Sequence, residues 1–535
     1  MIGRHDLAVG ALLSVLWWLP TLWIGTAGEF PISDDWAYAH TVEVLLETGR
    51  FERPAWTWAP SMTNVAVGTA FTAVLGFSHA ALRLSTLALG WLGILATFGL
   101  VRQVGGDARM AGLAGATLAV NPMFVNLGLT FMTDVGFVTF TTASLWAMAA
   151  ALSTPGGRGS LTSWGLAGIL AAAALLSRQP AMVLPVAAGC ALLILHRRRP
   201  LVWAGVAGAG LLGLGLYSAL PYFYGSGDGG RHMRLLWYLE NQVLSASAFY
   251  HVARALLTTA SVLGLCLLPW LGALTLRRRS LALGATLTAL LLAVAWRLDI
   301  AAPFHLNLLR ADLGLGPMTL PGGLVATPWS EPLWWLLDGL GCLVSGTLLA
   351  ELFARRETLY GRPELWALLA FPALCLGVLA FQSPFFDRWL LPFVGPLAAV
   401  LAVTMRAATP GPVRRAATLL PLALLGLWSW LGTADGLDHH RARWELLAAL
   451  RTEGVSPARI DGGFEFNGLY NFAKDDRDWE RFKKKPGSLW VVDDEYVVTL
   501  ARDLPGYERV DQREVTRRLP PGPEPIFVYR RLPAR

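Results

Sequence analysis

The sequence predicts an all-α polytopic membrane protein with a small α/β domain at its C-terminus. Hydrophobic residues make up 54% of the 535 residues and charged residues only 15%, with a mean hydropathy of +0.47, whereas soluble proteins contain about 25% charged residues. The apolar runs stop near residue 433, and all four lysines lie beyond that point, at 474 and 483–485. We therefore expect a membrane region over 1–433 and a separate domain over 434–535.

A membrane-spanning helix requires about 20 mostly apolar residues, and about 13 segments meet this requirement. The predicted spans are 7–26, 82–101, 110–130, 135–152, 163–177, 181–195, 201–221, 253–274, 281–297, 333–353, 365–381, 389–405 and 416–433. No small-residue cleavage site follows the first span, which is expected to be a retained anchor. The segment 62–77 is shorter and is expected to be an interfacial or re-entrant helix.

Arginine clusters between the spans predict the orientation of the chain. If 62–77 does not cross the membrane, every basic cluster between spans falls on one side, which the positive-inside rule makes cytoplasmic. The outward face then receives the loops 27–60, 222–252 and 298–332, together with the C-terminal domain. These features predict a multi-pass protein of a bacterial-type inner (plasma) membrane. The net charge of +7 reflects the loop arginines and does not indicate nucleic-acid binding.

Two adjacent carboxylates, Asp34 and Asp35, follow the first span directly. Because charged groups at a bilayer boundary are costly, this pair is the first candidate for a functional site. Asp134 opens a later span, where it either caps that helix or acts together with the pair. Such carboxylates serve as catalytic bases or bind a divalent cation. The three residues are therefore catalytic candidates and candidate metal ligands, and the sequence leaves the metal itself undecided.

Arg178 and Arg388 are predicted to lie on the same outward face. A guanidinium binds phosphate through paired hydrogen bonds, although Arg178 also suits an interfacial anchor and Arg388 a local pair with Asp387. Arg231 lies on an amphipathic segment that is either an interfacial helix or a substrate contact. No P-loop or dinucleotide motif occurs in the sequence. A group donor is therefore expected to reach the outward site from the membrane.

Several short segments resemble, in the same order, the motifs of class C (GT-C) glycosyltransferases of the protein O-mannosyltransferase and aminoarabinose transferase type. These segments are Asp34-Asp35-Trp36-Ala37-Tyr38, Glu52-Arg53-Pro54, Ala81-Leu82-Arg83-Leu84-Ser85, Asn121-Pro122-Met123-Phe124 continuing to Asp134, Ser177-Arg178-Gln179-Pro180 and Asp387-Arg388-Trp389-Leu390-Leu391-Pro392. The resemblance covers most of residues 1–410. It implies the GT-C architecture.

The resemblance further implies a transferase that moves a hexose or pentose, with inversion, from a polyprenyl-phosphate donor to an acceptor on the extracytoplasmic face. It implies that Asp34 is the general base and Asp134 the second acidic residue. It also implies that Arg178 and Arg388 bind the donor phosphate, with Tyr38 and Arg53 as candidate substrate contacts. Arg53 replaces the usual lysine, Ala55 a proline and Asp35 the usual glutamate. The resemblance therefore does not assign the sugar, the acceptor or a metal.

The C-terminal region is expected to contain a helix over 437–452 and strands near 488–492 and 525–529. The segment 460–468 combines glycines with aromatic residues, a composition that suits either a binding surface or an ordinary connection. The main alternative function is a transporter or flippase of an isoprenoid-linked sugar. Transporters often contain inverted repeats, and the two halves of this chain show no convincing repeat.

Overall fold

The computed structural model describes residues 3–196, 247–322, 330–472 and 489–533, with short gaps at 154–157 and at 55, 58, 306, 406, 408 and 410; between 197 and 246 it describes only 208, 215, 243 and 245. The predicted span 201–221 and Arg231 therefore lie outside the described residues, as does most of the predicted loop 222–252. Helices form most of the described part, and the only sheet within it lies near the C-terminus. The helical class and the small C-terminal α/β domain are confirmed.

The described helices, numbered in chain order, are α1 Arg4–Ile24, α2 Asp35–Thr48, α3 Met62–Leu75, α4 His79–Gln103, α5 Ala108–Ala119, α6 Pro122–Gly128, α7 Asp134–Ser153, α8 Arg158–Ser177, α9 Leu184–His196, α10 Ala248–Leu267, α11 Trp270–Ala273, α12 Arg278–Arg297, α13 Ser330–Ala354, α14 Pro363–Leu379, α15 Leu391–Thr404, α16 Pro412–Thr452 and α17 Phe464–Asn471. Short 3₁₀ helices occur at Gln179–Val183, Arg356–Leu359, Asp387–Leu390 and Pro457–Arg459.

Within the described residues, nine helices are long and apolar enough to cross a membrane, or ten if the bent pair α5 and α6 counts as one span. The multi-pass class is thereby confirmed. Of the remaining predicted spans, 181–195 and 365–381 correspond to the shorter apolar helices Gln179–Ile194 and Pro363–Leu379. The interfacial candidate 62–77 also forms a short apolar helix, α3. Its relation to the membrane stays a prediction.

The helices divide into a buried centre and an apolar periphery. The apolar window of α7 is 78% buried, and α7 packs against α4 and α8. The corresponding windows of α1, α8, α12 and α16 are only 22% buried, and these helices expose large apolar side chains such as Leu19, Ile169 and Leu290. Such surfaces suit contact with lipid tails, which do not drive apolar side chains into the protein interior. The candidate site can therefore lie among the buried central helices, while the peripheral helices provide the apolar surface for the bilayer.

The first outward loop, so called from its predicted orientation, is fastened to the helical core by Arg83 of α4. This side chain is 1% exposed and donates hydrogen bonds to the carbonyls of Thr26, Gly28 and Phe30, at 2.9, 2.8 and 2.6 Å. Its guanidinium also lies 4.6 Å from the ring centroid of Phe30. The buried Arg83 cation therefore holds the backbone that precedes the acidic pair. In return, these carbonyls supply the hydrogen bonds that a buried charge requires.

The C-terminal domain contains a four-stranded sheet in the order β1-β2-β4-β3, formed by Ile460–Asp461, Tyr496–Thr499, Tyr507–Arg518 and Pro521–Arg531. The strand β1 is parallel to β2, whereas β4 is antiparallel to both β2 and β3. The predicted strand 525–529 lies within β4. The predicted strand near 488–492 was wrong for its described residues, because Trp490 has a positive φ of 55° and packs into an aromatic cluster.

The helix α16 joins the two regions without a break. It begins as an apolar span and continues to Thr452, and its C-terminal half packs against β3. The predicted division at 433/434 therefore falls inside one helix, and the domain boundary stays a prediction. The Asp435 carboxylate accepts hydrogen bonds from the backbone N–H groups of Arg518 and Leu519. The hairpin of β3 and β4 is thus fixed to the helix that leaves the membrane region.

Candidate active site

Asp35 is the buried member of the acidic pair and links two segments of backbone. It is the first residue of α2, is 1% exposed, and accepts hydrogen bonds from the backbone N–H groups of Ile32, at 2.5 Å, and Phe131, at 3.1 Å. Burial raises the pKa of this carboxyl group to about 8. Both oxygens are therefore engaged by backbone, and one of these bonds ties the first outward loop to the segment that leads into Asp134.

Asp34 differs from its neighbour, because its side chain is half-buried and faces other functional groups. Its Oδ1 accepts a hydrogen bond from the indole Nε1 of Trp56 at 2.8 Å. Burial raises the pKa of Asp34, while the positive charge of Arg388 and the indole hydrogen bond oppose this increase. A carboxylate with a raised pKa and one oxygen left free by the indole has the character of a general base.

A second group consists of Asp134, Arg178 and Arg388. The Asp134 Oδ1 accepts a hydrogen bond from Nη1 of Arg178, and it lies 3.9 Å from Nε of Arg388. Asp134 is the first residue of α7, but its Oδ2 has no hydrogen-bond partner among the described residues. The sequence left open whether Asp134 caps its helix, and the structure pairs it with Arg178 instead.

Arg388 has hydrogen-bonding capacity that its described neighbours do not use. Its Nε and Nη1 are buried and have no hydrogen-bond partner among the described residues, although Nε lies 3.9 Å from Oδ1 of Asp134. Its guanidinium lies 5.2 Å from the Phe386 ring centroid and forms no side-chain pair with Asp387. The Asp387 carboxylate instead accepts hydrogen bonds from the backbone N–H groups of Leu308, Leu309 and Arg388. The guanidinium is therefore held in place with donors unsatisfied, which is costly unless a ligand or water supplies acceptors.

Three charged groups line a small cleft. Asp134, Arg178 and Arg388 form its polar wall, and the remaining lining residues are Phe137, Pro180, Cys375, Leu379, Trp389, Pro392 and Phe393. A cleft lined by both charged and apolar side chains suits a molecule with a charged head and an apolar body.

Tyr38 lies on the first turn of α2 and is 5% exposed. Burial raises the pKa of its phenol, and the charges of Asp34, Asp134, Arg178 and Arg388 all act on it. The predicted substrate contact Tyr38 is therefore surrounded by the same charged groups. Asp34, Asp134, Arg178 and Arg388 thus lie in one region, although their catalytic and binding roles stay predictions.

Arg53 holds the backbone of its own loop. Its Nη1 donates hydrogen bonds to the carbonyls of Thr57 and Ala59, at 3.1 and 2.9 Å. These bonds curl the segment that carries Trp56 towards Asp34. The contact of Arg53 with substrate stays a prediction.

The sequence analysis assigned no role to Trp56 or to Glu465. Glu465 is fully buried, accepts a hydrogen bond from the backbone N–H of Ser33 at 2.9 Å and pairs with Arg443 at 2.8 Å. The positive charge of Arg443 holds the pKa of Glu465 below its usual range, against the effect of burial. The one available signal was the unusual composition of 460–468. It indicated a binding surface but gave no partner, because Ser33 is more than 400 residues away.

Among the described residues, no group of three or more histidine, cysteine, aspartate or glutamate side chains could hold a metal ion. Of the carboxylates that the sequence suggested as metal ligands, Asp35 is occupied by backbone N–H groups and Asp134 by Arg178. The residues present do not form a carboxylate cage of the kind a hard cation prefers. No step of the proposed reaction is therefore assigned to a metal.

Comparison with known proteins supports the resemblance seen in the motifs. Residues 64–223 match the model of the family described as dolichyl-phosphate-mannose-protein mannosyltransferase. The resemblance to this type of protein is thus confirmed over that part of the chain, and the match indicates a glycosyltransferase. No curated protein sequence matches the chain at a significant level.

Two kinds of solved structure are similar to the chain at low sequence identity. ArnT from Cupriavidus metallidurans, bound to undecaprenyl phosphate, is 15% identical with a TM-score of 0.41, over 98% of this chain and 97% of that one. The apo oligosaccharyltransferase of Archaeoglobus fulgidus is 16% identical with a TM-score of 0.44, over 88% of this chain and 60% of that one. The chain therefore spans less than two thirds of the length of that oligosaccharyltransferase.

Proposed function

We propose that the protein is an integral membrane glycosyltransferase that moves a sugar from a polyprenyl-phosphate donor to an acceptor on the extracytoplasmic face. The observation that carries this proposal is the unsatisfied guanidinium of Arg388, which lies beside the pair of Asp134 and Arg178 in an apolar cleft. The family match over 64–223 supports the same class of enzyme. The membrane proposed is a bacterial-type inner membrane, with the C-terminal domain outside it.

The donor phosphate is proposed to bind Arg388 and Arg178. Phosphate oxygens satisfy the two buried donors of Arg388, which have no partner among the described residues. The apolar wall, which includes Leu379 and Phe393, is proposed to contact the first isoprene units of the lipid. These cations stabilise the negative charge that develops on the departing phosphate, the interaction that speeds the chemical step.

Asp34 is proposed to act as the general base of a single displacement. The acceptor hydroxyl oxygen attacks the anomeric carbon, and its proton passes to the Asp34 carboxylate. The bond between the anomeric carbon and the phosphate oxygen breaks, and its electron pair leaves with the polyprenyl phosphate. Attack from the side opposite the phosphate inverts the anomeric configuration. The raised pKa of Asp34, and its position outside the lining of the cleft that contains Arg178 and Arg388, support this division of roles.

Transfer is tested in membranes from cells that produce wild type, Asp34→Asn or Glu43→Gln, supplied with a panel of radiolabelled polyprenyl-phosphate sugars. Glu43 is the matched control, because it is a half-exposed carboxylate on α2, the helix that Asp34 precedes, and its ion pair is with His40. We expect label to move to a new product with wild type and Glu43→Gln, and transfer to fall at least about 100-fold with Asp34→Asn. Normal transfer by Asp34→Asn contradicts the role of Asp34 as the general base. Label that changes leaflet without chemical transfer, equally in all three proteins, favours the translocation alternative.

A further inference from the structure

We propose that Trp56 positions the Asp34 carboxylate and that the C-terminal domain holds Trp56 in place, so that this domain forms part of the active site. This inference rests on the proposed function, since it assigns a role relative to the base. It names a residue and a domain to which neither the motifs nor the family match gives a role.

Trp56 contacts Asp34 directly. The indole Nε1 donates to Oδ1 of Asp34 at 2.8 Å, and this is the only hydrogen bond of that carboxylate among the described residues. Asp34 directly precedes α2 but its side chain does not cap the helix. The orientation of the carboxylate therefore depends on the indole, which leaves Oδ2 to accept a proton.

Aromatic side chains of the C-terminal domain fix Trp56. The Trp56 ring lies 4.8 Å from that of Trp490, at an interplanar angle of 88°, and 5.7 Å from that of Phe464. Trp490 is 1% exposed and also packs on Phe464, at 5.4 Å. Edge-to-face aromatic pairs of this kind are directional as well as apolar. We refer to Phe464 and Trp490 as the aromatic clamp.

The same domain makes an independent contact with the backbone before Asp34. Glu465 follows Phe464 of the clamp and accepts a hydrogen bond from the N–H of Ser33. Ser33 has a positive φ of 58°, a conformation that a non-glycine residue adopts only when its surroundings hold it. Glu465 is itself fixed by Arg443, with both side chains fully buried. The C-terminal domain thus holds Asp34 in two ways. Glu465 holds the backbone before it, and the aromatic clamp holds Trp56, which donates to its carboxylate.

The charged groups that act on Asp34 are Arg388, Asp134 and Glu465. Arg388 favours the ionised form, whereas Asp134 and Glu465 disfavour it. The indole N–H is a neutral donor that also favours the carboxylate. Removal of the indole N–H leaves the three charges unchanged. The effect of this hydrogen bond on the titration of Asp34 can therefore be measured separately from the effect of the charges.

The test is the pH dependence of kcat/KM for Trp56→Phe, with Trp444→Phe as the matched control. Both changes remove one indole N–H, but the Nε1 of Trp444 has no hydrogen-bond partner among the described residues, and Trp444 packs on Phe30 and Phe466, neither of which belongs to the clamp. We expect the acid limb to move to higher pH by about one unit in Trp56→Phe, the shift that corresponds to a lost hydrogen bond to a charged group. We expect no such movement in Trp444→Phe.

Phe464→Leu tests the contribution of the domain. It is expected to move the acid limb in the same direction by a smaller amount, and to add nothing when combined with Trp56→Phe, because both act through one hydrogen bond. An unmoved limb in Trp56→Phe, or equal movement in Trp444→Phe, overturns the inference. Full transfer by Asp34→Asn instead overturns the proposed function, whatever the tryptophan variants do, so the two failures are distinguishable.

Discussion

At the scale of single residues, Asp34 and Asp35 are adjacent in sequence but have different environments. Asp35 is buried and bonded to two backbone N–H groups, whereas Asp34 is half-buried and bonded to a side chain. The sequence could place both at the membrane boundary and could not separate them, because the partner N–H of Phe131 is 96 residues away. We infer that Asp35 organises the loop and that Asp34 performs the chemistry.

The first residue-scale prediction concerns Asp35→Asn. The new amide group places an N–H donor against a backbone N–H donor, so one buried donor loses its acceptor. We expect the free energy of unfolding to fall by about 1–3 kcal/mol, measured as a lower midpoint of thermal unfolding in detergent, and transfer to fall only in proportion to the folded protein. Complete loss of transfer with unchanged thermal stability contradicts this role.

A second residue-scale prediction concerns Arg388. Arg388→Lys keeps one positive charge but loses the planar pair of donors. We expect the donor concentration for half-maximal transfer to rise about tenfold or more in Arg388→Lys and further in Arg388→Ala, when initial rates are measured against donor concentration. Arg356→Ala, an exposed arginine that donates to the backbone of Phe353, serves as control. Unchanged donor dependence in Arg388→Ala removes Arg388 from the phosphate site.

At the scale of elements, the 3₁₀ helix Asp387–Leu390 is the piece that positions Arg388. Its first residue, Asp387, is fully buried and gathers the backbone N–H groups of Leu308, Leu309 and Arg388. The sequence left two interpretations of Arg388, a phosphate-binding residue on the outward face, which stays a prediction, and a local pair with Asp387. The sequence could not predict the contact of Asp387 with the backbone of Leu308 and Leu309, because these two residues lie in a loop without a periodic sequence pattern.

The element-scale prediction is that Asp387→Asn destabilises the protein and misplaces Arg388. One of the three donors loses its acceptor, at a cost of about 1–3 kcal/mol, so both the unfolding midpoint and the apparent donor affinity should fall. Thermal unfolding and donor titration measure the two effects. Glu445→Gln removes an exposed pair with Arg513 and should change stability by less than about 1 kcal/mol. Equal stability of the two variants contradicts the role of Asp387.

The helices themselves were the most predictable elements. Long apolar runs such as those of α4 and α7 are recognisable from composition, because a helix in lipid must satisfy its own backbone. The strand expected at 488–492 is not found in the described residues of that segment. Trp490 is buried because it packs in the aromatic clamp and not because it lies in a sheet. Local composition therefore indicates burial, but the neighbour that buries a side chain is decided by tertiary structure.

At the scale of the whole molecule, an ionic cluster joins the C-terminal hairpin to the outward loop of the membrane region. Glu524 of β4 lies 3.0 Å from Nδ1 of His439 and 3.5 Å from Arg310, while Arg517 pairs with Asp312 at 2.6 Å. The hydrogen bond to His439 and the nearby arginines lower the pKa of Glu524 to about 2, against the effect of burial. The sequence showed these charges only as parts of separate polar segments.

The whole-molecule prediction follows from this pKa. Because the folded value is lower than the ordinary value of 4.5, ionised Glu524 stabilises the fold above about pH 4.5, and this contribution is lost as pH falls from about 4.5 towards 2. We expect Glu524→Gln to be less stable than wild type at pH 6 and the difference to shrink at pH 3, in thermal unfolding measured in detergent. A difference that does not depend on pH contradicts the ionic role.

We propose that the molecule breaks the bond between a sugar and a lipid phosphate, with Asp34 as the base. The most direct measurement uses purified protein in proteoliposomes with a radiolabelled polyprenyl-phosphate sugar and an acceptor extract, and quantifies both the labelled product and the free polyprenyl phosphate. We expect equal amounts of the two with wild type and neither with Asp34→Asn. Labelled donor that remains chemically intact with wild type, while it changes leaflet, would contradict the account.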